Sequence, residues 1–265
     1  MIDAFFLKVI LAFIVGATWI TGATMIAEKF GSKIGGVVSG IPSTAVLALF
    51  FIGWTQTPQI AALSTGIMPV IMGLNALFIA IYILLSEHKL RISLSIALVM
   101  WFLLTFIFVV LQLNNFFVSL LIFALLYITT FIIVEKMMQV KSEGKKRMEY
   151  TLKHISIRAV SSGLIVASAV IMSKVGGPVI GGVFAAFPAI MLGTLIITHV
   201  THGRNFSIAV MKVLMVSGSL NVTIYAVAVK YLYPIFGLIT GTLFSFSISL
   251  ITSYITYRFV NKKMS

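Results

Sequence analysis

Ile34-Gly35-Gly36-Val37-Val38-Ser39-Gly40-Ile41-Pro42-Ser43-Thr44 and Ile180-Gly181-Gly182-Val183-Phe184-Ala185-Ala186-Phe187-Pro188-Ala189 are two copies of one pattern. The tetrapeptide Ile-Gly-Gly-Val and the proline behind it recur at a constant offset of 146 residues, the distance from Pro42 to Pro188. In the same register Leu74-Asn75 returns as Leu220-Asn221 and Thr55 as Thr201. Glycine pairs alone are common in membrane helices. A tetrapeptide, a proline, a threonine and a Leu-Asn pair in one register mark an internal duplication.

The sequence around both copies is apolar. Of 265 residues 60% are hydrophobic and 9% charged, and the mean hydropathy is +1.14. A soluble domain carries about 25% charged residues, so a water-soluble globule is excluded. Apolar runs long enough to span lie at 4–27, 34–54, 59–86, 92–111, 115–134, 155–173, 178–199, 206–232 and 234–257. At roughly 20 residues per crossing, these runs predict an all-α polytopic membrane protein of about nine transmembrane helices. The runs are continuous, whereas barrel strands alternate, so helices are expected. The repeats divide the chain into a first four-helix unit over 1–114, a connecting helix and basic linker over 115–153, and a second four-helix unit over 154–265. Met1-Ile2-Asp3-Ala4 lacks a basic leader and the first run is too long for a signal peptide, so it is expected to stay as a helix. With no cysteine there is no disulfide framework and no thiol nucleophile.

The net charge of +13 lies between the apolar runs rather than on a basic face, so nucleic acid is not an expected partner. The positive-inside bias orients the chain. With the N-terminus outside, the inner segments hold Lys29 and Lys33, Lys89 and Arg91, the basic stretch within 135–154 with Arg158 behind it, Arg204, and Arg258, Lys262 and Lys263. The outer segments hold Lys174 and Lys230, with Lys8 near the outer end of the first run. The expected placement is a multi-pass protein of the inner (cytoplasmic) membrane, N-terminus outside and C-terminus cytoplasmic. Corresponding helices then stand five crossings apart, an odd number, so the second unit enters the bilayer inverted. Inverted repeats are a recurring construction in secondary transporters.

The pattern of Ile-Gly-Gly, an apolar residue before proline, an apolar helix, a polar turn and a helix with a central polar group resembles the GlpM-like family. Those are small bacterial inner-membrane proteins of about one four-helix unit, in which a Gly pair or Ala-Gly precedes a Phe-Pro-Thr segment. The stretch from Ile34 to Thr44 resembles that segment best, and the second copy departs by carrying Ala189 after the proline. The resemblance covers each repeat separately and implies two fused units. It implies a fold relationship and no stated activity.

Proline inside a helix removes a hydrogen bond, and nearby glycine eases unwinding. A broken helix exposes N–H groups and a positive dipole end at membrane depth. Gly35, Gly36, Pro42, Ser43, Thr44, Gly181, Gly182 and Pro188 are therefore expected to bind substrate, together with the symmetric Asn75 and Asn221, which are expected to meet at the pseudo-axis. Thr65, Ser217, Ser219 and Thr223 extend the expected polar lining. Glycines four apart, such as Gly36 and Gly40, also let helices pack closely, and interhelical amides also act as glue. Lys212 is expected to snorkel to the inner surface, and Asp3, Glu28, Glu87, Glu135, Glu143 and Glu149 to sit at ends or in loops. His199 and His202, with no third ligand, make no expected metal site. Trp19 and Trp101 lie deeper than belt aromatics and are expected to be structural.

No nucleophile, base or metal constellation is present, so an enzyme is not expected and no cofactor is expected. The expected function is transport of a small solute or lipid-like anion by alternating access, with a non-catalytic membrane scaffold or accessory subunit as the alternative. The expected partners are the lipid bilayer, a small-molecule or lipid-like substrate and further copies of the chain in a homo-oligomer. In this cysteine-free chain, single cysteines at Ser32 and Pro178 are predicted to react with an impermeant thiol reagent from opposite faces. Labelling from one shared face overturns the inverted topology.

Overall fold

The computed structural model describes residues 4–28, 37–38, 40–113, 115–137 and 152–263. Gly35 and Gly36, Lys29 and Lys33, and the basic stretch 138–151 lie outside the described residues. Among the described residues every regular element is helical: α1 (Ala4–Glu28), α2 (Ser43–Thr55), α3 (Pro58–Ser64), α4 (Met68–Leu84), α5 (Leu90–Val110), α6 (Phe116–Ile132) with a π-helical turn at Ile133–Met137, α7 (Leu152–Ala185), α8 (Ala189–His202) and α9 (Arg204–Lys263). Five of these are long and apolar enough to cross a membrane, or six when α3 and α4 form one bent span.

The distribution of side chains is that of a protein dissolved in lipid. α5 turns Ser93, Ala97, Trp101 and Thr105 inward, one residue per turn, and leaves Ile96, Val99, Leu103, Phe106 and Val110 on its outer face. α6 does the same with Ser119 and Thr130 inside and Phe117, Leu121, Leu125 and Ile128 outside. In water such an outer face would be a large exposed apolar patch. In lipid there is no hydrophobic force between helices, so small and polar residues gather at the contacts. α4 lies at the centre, buried on nearly every side.

α1 packs along α7, its counterpart at the 146-residue offset, through glycine on both partners. Gly16 lies against Val166 and Gly163, and a methyl on Gly163 would come 2.6 Å from the Phe13 carbonyl oxygen.

The boundaries differ from the expected nine runs in four places. The run 59–86 is two helices, bent by 43° between Ser64 and Met68. Pro69 has no N–H for the Thr65 carbonyl, which accepts from Met68 instead (3.1 Å). The runs 34–54 and 178–199 both break at their prolines, so that α2 and α8 start afresh behind Pro42 and Pro188. The boundary expected between Tyr233 and Pro234 moves to Gly237. α9 counts 60 residues, which as a straight rod would measure about 90 Å against a hydrocarbon core of about 30 Å. It reverses at Gly237 (φ 73°, ψ −172°), as α7 does at Gly177 (φ 82°, ψ 178°). That backbone region is open essentially to glycine alone, and proline, fixed at negative φ, cannot supply it. A methyl on Gly241 would lie 3.2 Å from the Tyr233 Cα, and one on Gly181 2.9 Å from the Ser173 Cα. Residues eight apart in a straight helix are separated by about 12 Å, so each of these helices doubles back into two arms.

Lys212 corrects another expectation. It does not reach the surface: it is 3% exposed, with Nζ 2.8 Å from Glu135 Oε2 on the π-helical turn. A buried ammonium is costly unless it is paired, and Glu135, expected at a loop, turns inward to pair it. The basic side chains at one end of the helices lie on aromatic rings instead: Lys8 over Trp54 (5.0 Å), Lys174 over Phe5 (3.7 Å) and Lys230 over Phe116 (4.9 Å).

Gly237→Ala is expected to lower stability by about 1–3 kcal/mol, because alanine cannot hold the reversal without strain. Gly22→Ala, where an added methyl meets nothing within 4 Å, is expected to leave stability unchanged or raise it. Thermal unfolding of the two purified variants in detergent checks the contrast.

Candidate functional site

The two prolines build the same turn twice. Pro42 has φ −75° and ψ 44°, and Pro188 has φ −76° and ψ 43°. Both are close to an inverse γ-turn, whose central residue sits near φ −75° and ψ about +65°. The turns are closed by Ser43 N–H donating to Ile41 O (2.7 Å) and Ala189 N–H donating to Phe187 O (2.8 Å). Helix then resumes with Val46 N–H on Pro42 O and Leu192 N–H on Pro188 O, both 2.8 Å.

Each break strands a carbonyl, and the other unit answers it. The Asn75 amide donates to Ala186 O (2.9 Å), and the Asn221 amide donates to Gly40 O (3.3 Å). Gly40 and Ala186 hold the same place in the two copies, two residues before each proline. The exchange is therefore reciprocal. The expectation that the two asparagines meet each other is corrected: each reaches the partner unit's broken helix, because a carbonyl without a helical partner is the stronger demand in hydrocarbon. A methyl on Gly40 would overlap the Ser217 hydroxyl and come 2.8 Å from the Gly218 nitrogen, so the Gly40–Gly218 approach is what brings Asn221 within reach.

The two amides are held differently at their oxygen ends. Trp101 Nε1–H donates to Asn75 Oδ1 (2.7 Å). Asn221 Oδ1 is buried with no hydrogen-bond partner among the described residues. The position 146 after Trp101 is Ser247, which is exposed and donates to Leu243 O (2.9 Å).

Between the breaks lies a cavity of about 40 Å³, walled by residues 40–45, the chain around Pro188, and Met72, Asn75 and Gly218. A water needs roughly 10–15 Å³, so there is room for two or three waters or one small ion, far less than the ~300 Å³ of a drug-sized pocket. Of the residues expected here, Pro42, Ser43, Thr44, Asn75 and Pro188 line the wall, and Asn221 is one hydrogen bond behind it. Gly181 packs on Ser173, and a methyl on Gly182 would fall on the Ser64 carbonyl, so both serve helix contact. Thr65, Ser217 and Thr223 return their hydroxyls to carbonyls of their own turns. Trp101, Met72 and Phe187 join the site unannounced. Met72 could have been found as the 146-offset partner of Gly218, and Trp101 by its depth.

Phe187 also borders a second, almost wholly apolar groove of about 330 Å³ with Trp101, Phe102, Thr105, Phe106 and Phe184. Its ring meets Trp101 edge-on, with centroids 5.3 Å apart, so this pair is the partition between groove and cavity. His199 lies 2.8 Å from the Tyr82 hydroxyl, and no group of three or more metal-ligating side chains occurs among the described residues.

A family described as Protein of unknown function (DUF3147) matches residues 9–113 and, a second time, residues 155–262. The chain belongs to this family. The second match begins 146 residues after the first, the offset that relates Pro42 to Pro188 and Asn75 to Asn221. The description does not name the GlpM-like proteins. No curated protein and no solved structure matches the chain.

Asn75→Leu leaves both Ala186 O and the Trp101 N–H without a partner, whereas Asn221→Leu leaves only Gly40 O. The first is expected to cost more stability, each by the order of 1–3 kcal/mol. A double-mutant cycle of Asn75→Leu with Trp101→Phe should be less than additive. Thermal unfolding in detergent measures all three terms.

Proposed function

We propose that this protein is a secondary transporter that moves a small solute or lipid-like anion by alternating access, crossing the inner membrane nine times as two inverted four-helix units. The reciprocal exchange between the two broken helices supports this reading most. Each unit holds the other by one asparagine on one stranded carbonyl, around a small cavity.

Such a latch is weak enough to open. Interhelical hydrogen bonds in membranes average about 0.6 kcal/mol where the freed groups find other partners, so releasing both costs on the order of 1 kcal/mol when water or solute in the opened cavity takes up the freed carbonyls, within the gap that separates two populated conformations. Glycine at Gly16, Gly163, Gly40 and Gly218 gives the units smooth contact surfaces that can slide. The doubling-back at Gly177 and Gly237 is consistent with two further crossings, and the odd spacing of matching helices then inverts the second unit. The end carrying Lys89, Arg91, Arg204 and Arg258 is read as cytoplasmic, which leaves the N-terminus outside. In this reading the protein is no enzyme, takes no cofactor or nucleic acid, and has the bilayer, its solute and further copies of itself as partners.

Single cysteines at Ser43 and Ile190, placed in proteoliposomes and treated with an impermeant thiol reagent, test the reading. Alternating access predicts that each site is labelled from both sides, and that crosslinking one access shut removes labelling from that side and keeps it from the other. A scaffold with one fixed arrangement predicts labelling from one side at most, unchanged by the crosslink.

A further inference from the structure

We propose that the cavity binds one small monovalent anion between the N-termini of α2 and α8, an inference that rests on the transport reading for its purpose and on geometry for its binding.

The two helices start at the cavity and run away from it in opposite directions. From Pro42 the chain follows α2 to Thr55, returns through α3 to Asn75 at cavity level, and continues along α4 to Tyr82 on the far side. His199, near the end of α8, bonds that same Tyr82 (2.8 Å). α2 and α8 therefore meet head to head at their amino ends. Each end carries the equivalent of about half a positive charge. Neither has a side-chain cap. The turn at each proline uses the first amide, and the bond to the proline carbonyl uses the fourth. Between them the N–H groups of Thr44 and Ala45, and of Ile190 and Met191, find no accepting carbonyl among the described residues, and all four residues wall the cavity.

The opposite polarity at the same breaks is already answered. Gly40 O and Ala186 O, the carbonyls the prolines strand, accept from Asn221 and Asn75. What stays unanswered in the cavity wall is donors, together worth about one positive charge, with no charged side chain beside them, while the unpartnered Asn221 Oδ1 lies behind that wall. A second observation points the same way. Thr44 Oγ1 lies in that wall, is 7% exposed as a residue, and has no hydrogen-bond partner among the described residues. Its hydroxyl can donate to an anion alongside its own backbone N–H. The counterpart of Thr44 is Ile190, so the anion is held nearer α2 than α8. The volume of about 40 Å³ admits a halide or an anion of nitrate size and excludes gluconate.

The test uses the full chain purified in neutral detergent. Its melting temperature is followed while chloride replaces gluconate at constant ionic strength. Saturable stabilisation by chloride is expected, unchanged when potassium replaces sodium. Thr44→Val keeps the wild-type melting temperature in gluconate, since the lost hydroxyl had no partner, and needs about tenfold more chloride for half the effect. Melting that ignores chloride, or follows the cation, overturns the proposal, as does a Thr44→Val titration that matches wild type. Chloride efflux from phosphatidylcholine vesicles holding the protein separates the two claims. Chloride binding without efflux upholds the anion site and removes chloride as a transported species. Alternating labelling at Ser43 and Ile190 without chloride stabilisation overturns the anion site and keeps the transport reading.

Discussion

A backbone carbonyl stranded in hydrocarbon has no water to turn to, and the structure is organised around two of them. Pro42 and Pro188 each end a helix where it would otherwise continue. The carbonyls at Gly40 and Ala186 must then find a donor inside the protein. Neither unit supplies its own. Asn75 of the first unit serves the second, and Asn221 of the second serves the first. This constraint fixes how the units sit together, since each amide reaches its target only when Gly40 lies against Gly218 and α4 lies against the break before Pro188. A single copy of the repeat would carry one break and one amide with no partner for either, which is a physical reason for the pair.

The copies have since diverged, and the differences have a direction. The first unit clamps its amide with Trp101, while the second leaves Asn221 Oδ1 unpartnered. The first bends at Thr65–Ile67; the equivalent stretch of the second runs straight through and carries Lys212 where the first has Gly66. Lys212 pairs with Glu135 at the end of α6, the helix that has no counterpart in either repeat. The second unit is thereby tied to the connecting helix by charge and by Tyr127 donating to Val216 O (3.0 Å), and the first by packing along α4 and by Val70 N–H donating to Ser119 Oγ (3.0 Å).

Much of this was legible before any coordinates. The offset of 146 residues located both breaks, both asparagines and the proline turns, because a repeat reports its own important positions twice. The all-helical membrane class followed from continuous apolar runs. Hydropathy could not show where a long run reverses, since Gly237 is one apolar-compatible residue among many and only its φ singles it out. Nor could it place Lys212, because snorkelling and pairing are equally open to a lysine near a helix end until the partner's position is known. The destination of the asparagines was missed for a related reason: symmetry suggested that like meets like, whereas a hydrogen bond joins unlike groups, a donor to the acceptor that lacks one. Trp101 has no equivalent in the second copy, so the repeat was silent about it.

The partition formed by Trp101 and Phe187 links these features. Trp101 holds Asn75 Oδ1 by its N–H and meets Phe187 by its ring, and Phe187 borders both the small cavity and the apolar groove. Phe187 is also the carbonyl partner in the turn at Pro188. Any movement that releases Asn75 from Ala186 must therefore disturb the indole that orients it, and with it the ring that separates cavity from groove. At the symmetry-related break Ile41 of the first unit stands in place of Phe187 and Ser247 of the second in place of Trp101, so no comparable partition exists there. Two units built to the same plan are thus held unequally: one break is backed by an aromatic wall beside the apolar groove, and the other rests on a single unclamped amide.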